Sequence, residues 1–413
     1  MTEQKTPTPQ QVTEALSAAP PIVLAPGPRE APTQLPPVPH DVWDLPGGTA
    51  WVYYGEGKHG LTRPVIIADG FNSGPSDVGM LWEGLDRREY AFLSEIRRSG
   101  RDVVIVGFHE RSAPIQHNAR AALAAIERAT HDMSGGHGLA VGGFSMGGLV
   151  TRYALLKLEH RRTDHRTELY FSYDSPHRGA WIPIGLQAFA HYIRDLDDRF
   201  SDQMNSPAAK QLLWQHIADW PDTPATHQDR TDFLDELERM GNWPARPHKI
   251  GVANGVGTGE GNGILPGDED FRGQGLAITG TSLYAQRTGD EQLVAKLRVL
   301  TLETEEIHTS GLPDIDGAPG GTLEGFGILA DSLNELPLYY GMRSQALIRE
   351  HCFVPAVSAV DLREIASRDD LYTPADGIPS GDSGLDEYKL ASQNEGHTVM
   401  TEDLGSWIIE RLP

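Results

Sequence analysis

A hydroxyl between glycines, Gly143-Phe144-Ser145-Met146-Gly147, is the feature of this sequence best suited to chemistry. A serine hydroxyl is a weak nucleophile at neutral pH. It attacks a carbonyl carbon only if a base takes its proton and a third group orients that base. Among the 16 histidines, His397 is the candidate base. It sits in the polar stretch SQNEGHTVMT, just ahead of an amphipathic final helix with Thr401 as N-cap, Glu402 and Asp403 in the first turn, and Leu404, Trp407 and Ile408 turned inward. Acyl transfer also needs backbone N–H groups around the developing alkoxide. Met146, directly after the serine, offers one. The loop after VIIADGFN offers the other, where Gly70 turns the chain and Phe71, or Asn72 beside it, presents its amide.

The orienting carboxylate is left open among three aspartates. Asp174 ends the stretch ELYFSYD, Asp386 lies in SGLDEYKL shortly before His397, and Asp361 follows CFVPAVSAV. Asp174 is favoured, because reaching the imidazole from Asp386 would need a tight local hairpin. His109, His177 and His351 stand near strand ends and read as structural, with His177 able to line the pocket.

These groups need a scaffold that brings the middle of the chain to its end. From Trp51 onward, short apolar runs at 51–54, 65–68, 103–107, 139–142, 168–174 and 249–254 alternate with helical stretches. That alternation predicts an α/β fold around a mostly parallel sheet flanked by helices. The GxSxG segment falls where a predicted strand meets a predicted helix. There a side chain at 143 or 147 would crowd the neighbouring strand or the helix start. Residues 178–246 break the rhythm with helix-like pieces, and WIPIGLQAFAHYIRDL carries Leu186, Phe189, Ala190, Ile193 and Leu196 on one stripe. The stripe suits an ordinary core-facing helix, and its position directly after a strand end suits a helical cap or lid over an apolar pocket, the reading adopted for 178–246 within a domain spanning 41–413. Residues 275–305 read as an antiparallel excursion, and 352–360 as a late core strand. GVGTGEGNG offers no G-x-G-x-x-G frame and reads as a flexible turn. Residues 1–40, with ten prolines, read as an extended, disordered tail.

Composition narrows the partners. The 413 residues carry 58 acidic and 35 basic side chains, a formal net charge of −23, which argues against a nucleic-acid ligand. The single cysteine, Cys352, excludes an internal disulfide framework and multi-cysteine metal sites. No apolar run reaches the length of a membrane span. The first residues lack the charged and apolar regions of a secretory signal, so a cytoplasmic location is expected. No H-E-x-x-H or clustered His/Asp spacing points to a metal, and no cofactor is expected.

GGFSMGGLVTRYALLKLE together with FSYDSPHRGA resembles the lipase-type α/β-hydrolase superfamily, in particular bacterial lipases and lipase-like serine esterases. The likeness is good over about 60–180 and loose over CFVPAVSA and GHTVM. It implies an α/β-hydrolase fold with Ser145 as nucleophile, His397 as base and the amides of Phe71 and Met146 as oxyanion hole. It also implies the chain order serine, acid, histidine. Pancreatic-type members draw their acid from the strand end that Asp174 occupies. Three residues depart from the family pattern: Asp69 replaces the histidine of an H-G pair, His351-Cys352 replaces an Asp-Gly, and Val399 stands where calcium-binding members have aspartate. The implied activity is hydrolysis of small carboxylic esters bearing hydrophobic groups through an acyl-enzyme. An acyltransferase, thioesterase or cyclase would use the same serine with another acceptor. An inactive binding module would be expected to lack the serine, the terminal histidine or the oxyanion glycine, and all three are present.

Overall fold

Ile66 and Ala68 face one side of a sheet while Val65 and Ile67 face the other, and all four are buried. That two-residue alternation, apolar on both faces, is what a strand covered by helices on both sides requires. The structure, a computed structural model, describes residues 8–18, 21–25, 31–32, 34–300, 302–375, 378 and 380–413. Its central sheet contains β1 (Asp41–Leu45), β2 (Gly48–Tyr53), β3 (Pro64–Ala68), β4 (Asp102–Phe108), β5 (Leu139–Phe144), β6 (Thr167–Tyr173) and β7 (His248–Val256). A last strand, Glu387–Ala391, completes the eight. The spatial order is β1-β2-β4-β3-β5-β6-β7 and then the last strand. β1–β2 and β2–β4 pair antiparallel and every other neighbour pairs parallel. This order, with its inverted second strand, is that of the α/β-hydrolase fold.

Helices cover both faces. Helix α2 (Val78–Asp86), helix α3 (Phe92–Arg98) and the terminal helix Glu402–Arg411 bury Trp82, Leu85, Phe92, Ile96, Leu404 and Ile408 on one side. Thr401 caps the terminal helix by accepting the N–H of Leu404. On the opposite side, α4 (Ile115–Asp132) and α5 (Met146–His160) pack their alanine and leucine faces against Val104, Val106 and Val141.

Four regions differ from expectation. The tail contains a helix, α1 (Pro9–Ala18), which buries Val12, Ala15 and Leu16 and is followed by buried Ile22 and Leu24. Its three- and four-residue apolar spacing is short and set among prolines. Residues 1–7, 19–20, 26–30 and 33, on which the rest of that expectation falls, lie outside the described residues.

Residues 178–246 are helical, with α6 (Ile184–Tyr192), α7 (Arg199–Met204), α8 (Pro207–Leu212) and α9 (Gln228–Arg239). They pack elsewhere than over the serine. Every residue of α6 is buried, and a Cβ on its Gly185 would come within 2.7 Å of the Val294 carbonyl, so the helix lies pressed on an antiparallel sheet. α9 lies against α5, where Tyr153 donates to Glu236 at 2.6 Å.

That antiparallel sheet has five strands between residues 269 and 346, a larger excursion than expected. Finally, 352–360 is a buried strand only in its first part: His351–Pro355 pairs, among the described residues, with Gly320–Leu323 outside the central sheet and runs into the short helix Ala356–Ala359.

Candidate active site

Ser145 stands between the end of β5 and the start of α5 with φ +53° and ψ −125°. This positive-φ backbone is sparsely populated and costs a non-glycine residue about 1–3 kcal/mol, so packing must hold it. The flanking glycines show how. A Cβ on Gly143 would lie 2.4 Å from the Gly147 carbonyl carbon, and one on Gly147 would lie 2.2 Å from the Ala68 carbonyl oxygen of β3. The kink is tight enough to exclude side chains there, as its glycines predicted.

The hydroxyl of Ser145 is 2.8 Å from Nε2 of His397. Nδ1 of the same ring is 2.6 Å from Oδ2 of Asp174. With the proton on Nδ1, the ring donates to the carboxylate and leaves Nε2 to accept from the hydroxyl. All three residues are buried, and Phe353 meets the imidazole edge-on at 4.8 Å between ring centres. Asp174 (φ +47°) and Thr398 (φ +61°) also have positive φ, so three non-glycine residues with such backbones cluster around one imidazole.

The other two aspartates are occupied elsewhere. Asp386 sits at the partly exposed start of the last strand, bonded to the backbone N–H of Lys249 at 2.7 Å and to its Nζ at 2.8 Å. Asp361 is held by Arg178 at 2.6 Å and by the Trp243 indole N–H at 2.8 Å. His177 does not line the pocket. It is buried between Arg152 and Ser172, where desolvation and the two neighbouring arginines hold its pKa well below the ordinary value. His351 bonds the Cys352 carbonyl, and burial lowers its pKa to about 4. His109 is exposed.

Two residues at the site carried no motif. Asn254, at the end of β7, ties the acid to the histidine loop. Its N–H donates to Asp174 Oδ1 at 3.0 Å, its Oδ1 accepts from Thr398 N–H at 3.0 Å, and its Nδ2 donates to the Val399 carbonyl at 2.9 Å. Gly321 leaves room for the pair, since a Cβ there would lie 2.0 Å from Asp174 Oδ2. Thr322, next to it, accepts the His397 N–H at 2.7 Å. The only sequence signal for Asn254 was an amide at a strand end before a glycine-rich turn, and for Gly321 nothing more than a glycine pair.

Ser145 and His397 lie on the floor of a cavity of about 860 Å³. Its apolar wall comes from Met80, Leu81 and Leu85 of α2 together with Ile67, Ile105 and Phe144 from the sheet. Arg88, Glu89, Arg111, Glu324 and Glu350 bring charge to the walls. None of residues 178–246, all of them described, lines it. α2 therefore occupies the place expected for the insertion. The loop carrying Phe71 borders the serine: a Cβ on Gly70 would lie 3.3 Å from the Ser145 Cβ. Among the described residues, no protein hydrogen bond takes up the backbone N–H of Phe71 or of Met146.

Among the described residues, no group of three or more His, Cys, Asp or Glu could hold a metal ion. No helix among them is long and apolar enough to cross a membrane.

No protein-family model and no curated protein sequence matches the chain. Solved structures similar to it include lipases, esterases and an acylaminoacyl peptidase of Pyrococcus horikoshii. A lipase of Bacillus licheniformis in its mature form is 16% identical, with 50% of this chain and 72% of that one covered at a TM-score of 0.33. A carboxyl esterase of the mycorrhizal fungus Tuber melanosporum is 15% identical, with coverages of 59% and 77% and a TM-score of 0.34. An esterase of Pyrobaculum calidifontis is 13% identical, with coverages of 59% and 71% and a TM-score of 0.33. The fold assignment rests on the strand order and its crossovers.

Proposed function

We propose that this protein is a serine ester hydrolase of lipase or esterase type, with Ser145 as nucleophile, His397 as general base and acid, and Asp174 as the group that orients the imidazole. The observation that carries the reading is the unbroken chain of two hydrogen bonds from the Ser145 hydroxyl through His397 to Asp174, on the floor of a partly apolar cavity. In the first half-reaction His397 Nε2 takes the hydroxyl proton as Ser145 Oγ bonds to the ester carbonyl carbon. The carbonyl oxygen becomes an alkoxide facing the N–H groups of Phe71 and Met146. Collapse of this adduct breaks the bond to the alcohol, which leaves with the proton from His397. Water then repeats the sequence on the acyl-enzyme and releases the acid. The buried carboxylate of Asp174 stabilises the imidazolium formed in each half and holds Nδ1 protonated. The apolar wall of α2 and the sheet is suited to an aliphatic or aromatic acyl group.

The test is a fluorophosphonate probe with mass-spectrometric site mapping, run beside a chain-length series of p-nitrophenyl esters. Labelling at Ser145 with ester turnover is expected. Labelling without turnover would move the reading to an acyltransferase, and absence of both would overturn it.

A further inference from the structure

Asp69 closes β3 one residue before the turn that faces Ser145, and its carboxylate is buried. Both oxygens are used. Oδ1 accepts the Gly70 N–H at 2.6 Å and Oδ2 accepts the Ser76 hydroxyl at 2.6 Å. Ser76 is itself fixed to the end of β4: its Oγ accepts the Phe108 N–H at 2.8 Å and its own N–H donates to the Phe108 carbonyl at 2.9 Å. Arg111 completes the ring from the other side. One guanidinium nitrogen lies 3.9 Å from Asp69 Oδ2, while Nε and Nη2 donate to the Gly74 and Ser73 carbonyls at 3.3 and 3.0 Å. One carboxylate thus closes the loop 69–76 at both ends, with the unpaired Phe71 N–H inside it.

This carboxylate stands close to where a substrate alkoxide would develop, so an unshielded charge here would oppose the reaction. Two donors, the Gly70 N–H and the Ser76 hydroxyl, and a cation turn it inward on the loop. Burial pushes the Asp69 carboxyl above its usual range, against the pull of Arg111, Ser76 and the Gly70 amide. A group this costly to bury, at a site facing the nucleophile, calls for a positional role.

We propose that Asp69 is a positioning residue: by clamping Gly70 and Ser76 it fixes the turn that aims the Phe71 N–H at the carbonyl oxygen of an ester bound at Ser145. The proposal rests on the reading of Ser145 as nucleophile. Misplacing one preorganised donor costs about 10²- to 10³-fold in turnover. The effect belongs in kcat, because the donor acts on charge absent from the ground state.

The experiment uses the full chain with a p-nitrophenyl ester, an alkyl boronic acid as transition-state analogue, and thermal melts. Asp69→Ala should lower kcat about 10²-fold and weaken boronate binding by a like factor, with KM changed less than about threefold. Asp69→Asn still accepts from Gly70 and can donate to Ser76 Oγ, so it should keep kcat within about tenfold of the parent. Should Asp69→Ala fail to fold, Ser76→Ala loosens the same clamp from its far end and should lower kcat by about tenfold with KM held. Parent-like kcat in the folded Asp69→Ala or Ser76→Ala protein overturns the proposal. So does a loss confined to KM. An unaltered protein that neither turns over nor labels at Ser145 overturns it together with the reading beneath it, whereas parental turnover shared by the variants overturns it alone.

Discussion

Oδ2 of Asp174 lies 2.6 Å from Nδ1 of His397 across 223 residues of chain, and neither side chain is exposed to solvent. An amide in place of that carboxylate would stabilise the wrong imidazole tautomer while leaving the shape unchanged. Asp174→Asn is therefore expected to lower kcat by about 10³- to 10⁴-fold with a melting temperature close to the parent's. Turnover within tenfold of the parent would remove Asp174 from the reaction.

Asp386 and Asp361 serve as internal controls. Asp386 is bonded to Lys249 on a partly exposed edge, so Asp386→Asn should leave kcat unchanged. Asp361 holds Arg178 and Trp243 in a buried cluster. Asp361→Asn should cost stability, about 1–3 kcal/mol by denaturant titration, with kcat of the folded fraction unchanged. A large loss of kcat in either folded variant would reassign the acid.

Gly321 provides a steric probe of the same pair. A single methyl group there would meet Asp174 Oδ2 at 2.0 Å, so one of the two must move. Gly321→Ala should lower kcat/KM by at least about 10²-fold, since displacements near 1 Å at a reacting centre have that effect. Parent-like kinetics would show that the site tolerates a shift the structure does not allow for.

The α2 wall is expected to set acyl selectivity. Leu81 lines the cavity and is only partly buried, so enlarging it is compatible with folding. Leu81→Trp should lower kcat/KM for long-chain p-nitrophenyl esters about tenfold more than for the acetate. An equal effect across the series would place the acyl chain elsewhere.

The pH dependence of stability has a marker in the five-stranded sheet. Asp270, in β-strand Glu269–Gly273 of that sheet, is fully buried, and among the described residues neither carboxylate oxygen has a hydrogen-bond partner. Burial, with Asp316, Asp268 and Glu269 nearby, raises its pKa from 3.8 to about 9. Between those values the unfolded chain carries the charge and the folded one does not. Stability from this group is thus complete below pH 3.8 and lost progressively up to about pH 9. Asp270→Asn removes that slope, which for one group is at most about 1.4 kcal/mol per pH unit. Melting curves from pH 5 to 9 should fall more steeply for the parent. Parallel curves would contradict the assignment.

Local chemistry made much of this protein legible in its sequence. Apolar runs bounded by turns marked six of the eight central strands, because strands covered on both faces have little room for polar side chains. Glycines 143 and 147 marked the kink at Ser145, because the backbones of α5 and β3 lie where a Cβ would go. The strands Asp41–Leu45 and Glu387–Ala391 escaped notice because they lie at the sheet edges, where polar residues such as Asp44 and Lys389 are tolerated and the alternation is blurred. Which of three similar aspartates lies against the His397 imidazole depended on β6 and β7 lying side by side, so that Asn254 could bond Asp174 and the His397 loop together. The position of α6 was likewise out of reach. An apolar stripe states that a helix is buried but leaves open which surface buries it, and the five-stranded sheet provided that surface. Sequence alone determined which residues could react and where the chain would bend. Tertiary packing decided which carboxylate reached the imidazole and which helix walled the pocket, because contacts between residues far apart in the chain depend on how whole elements settle against one another.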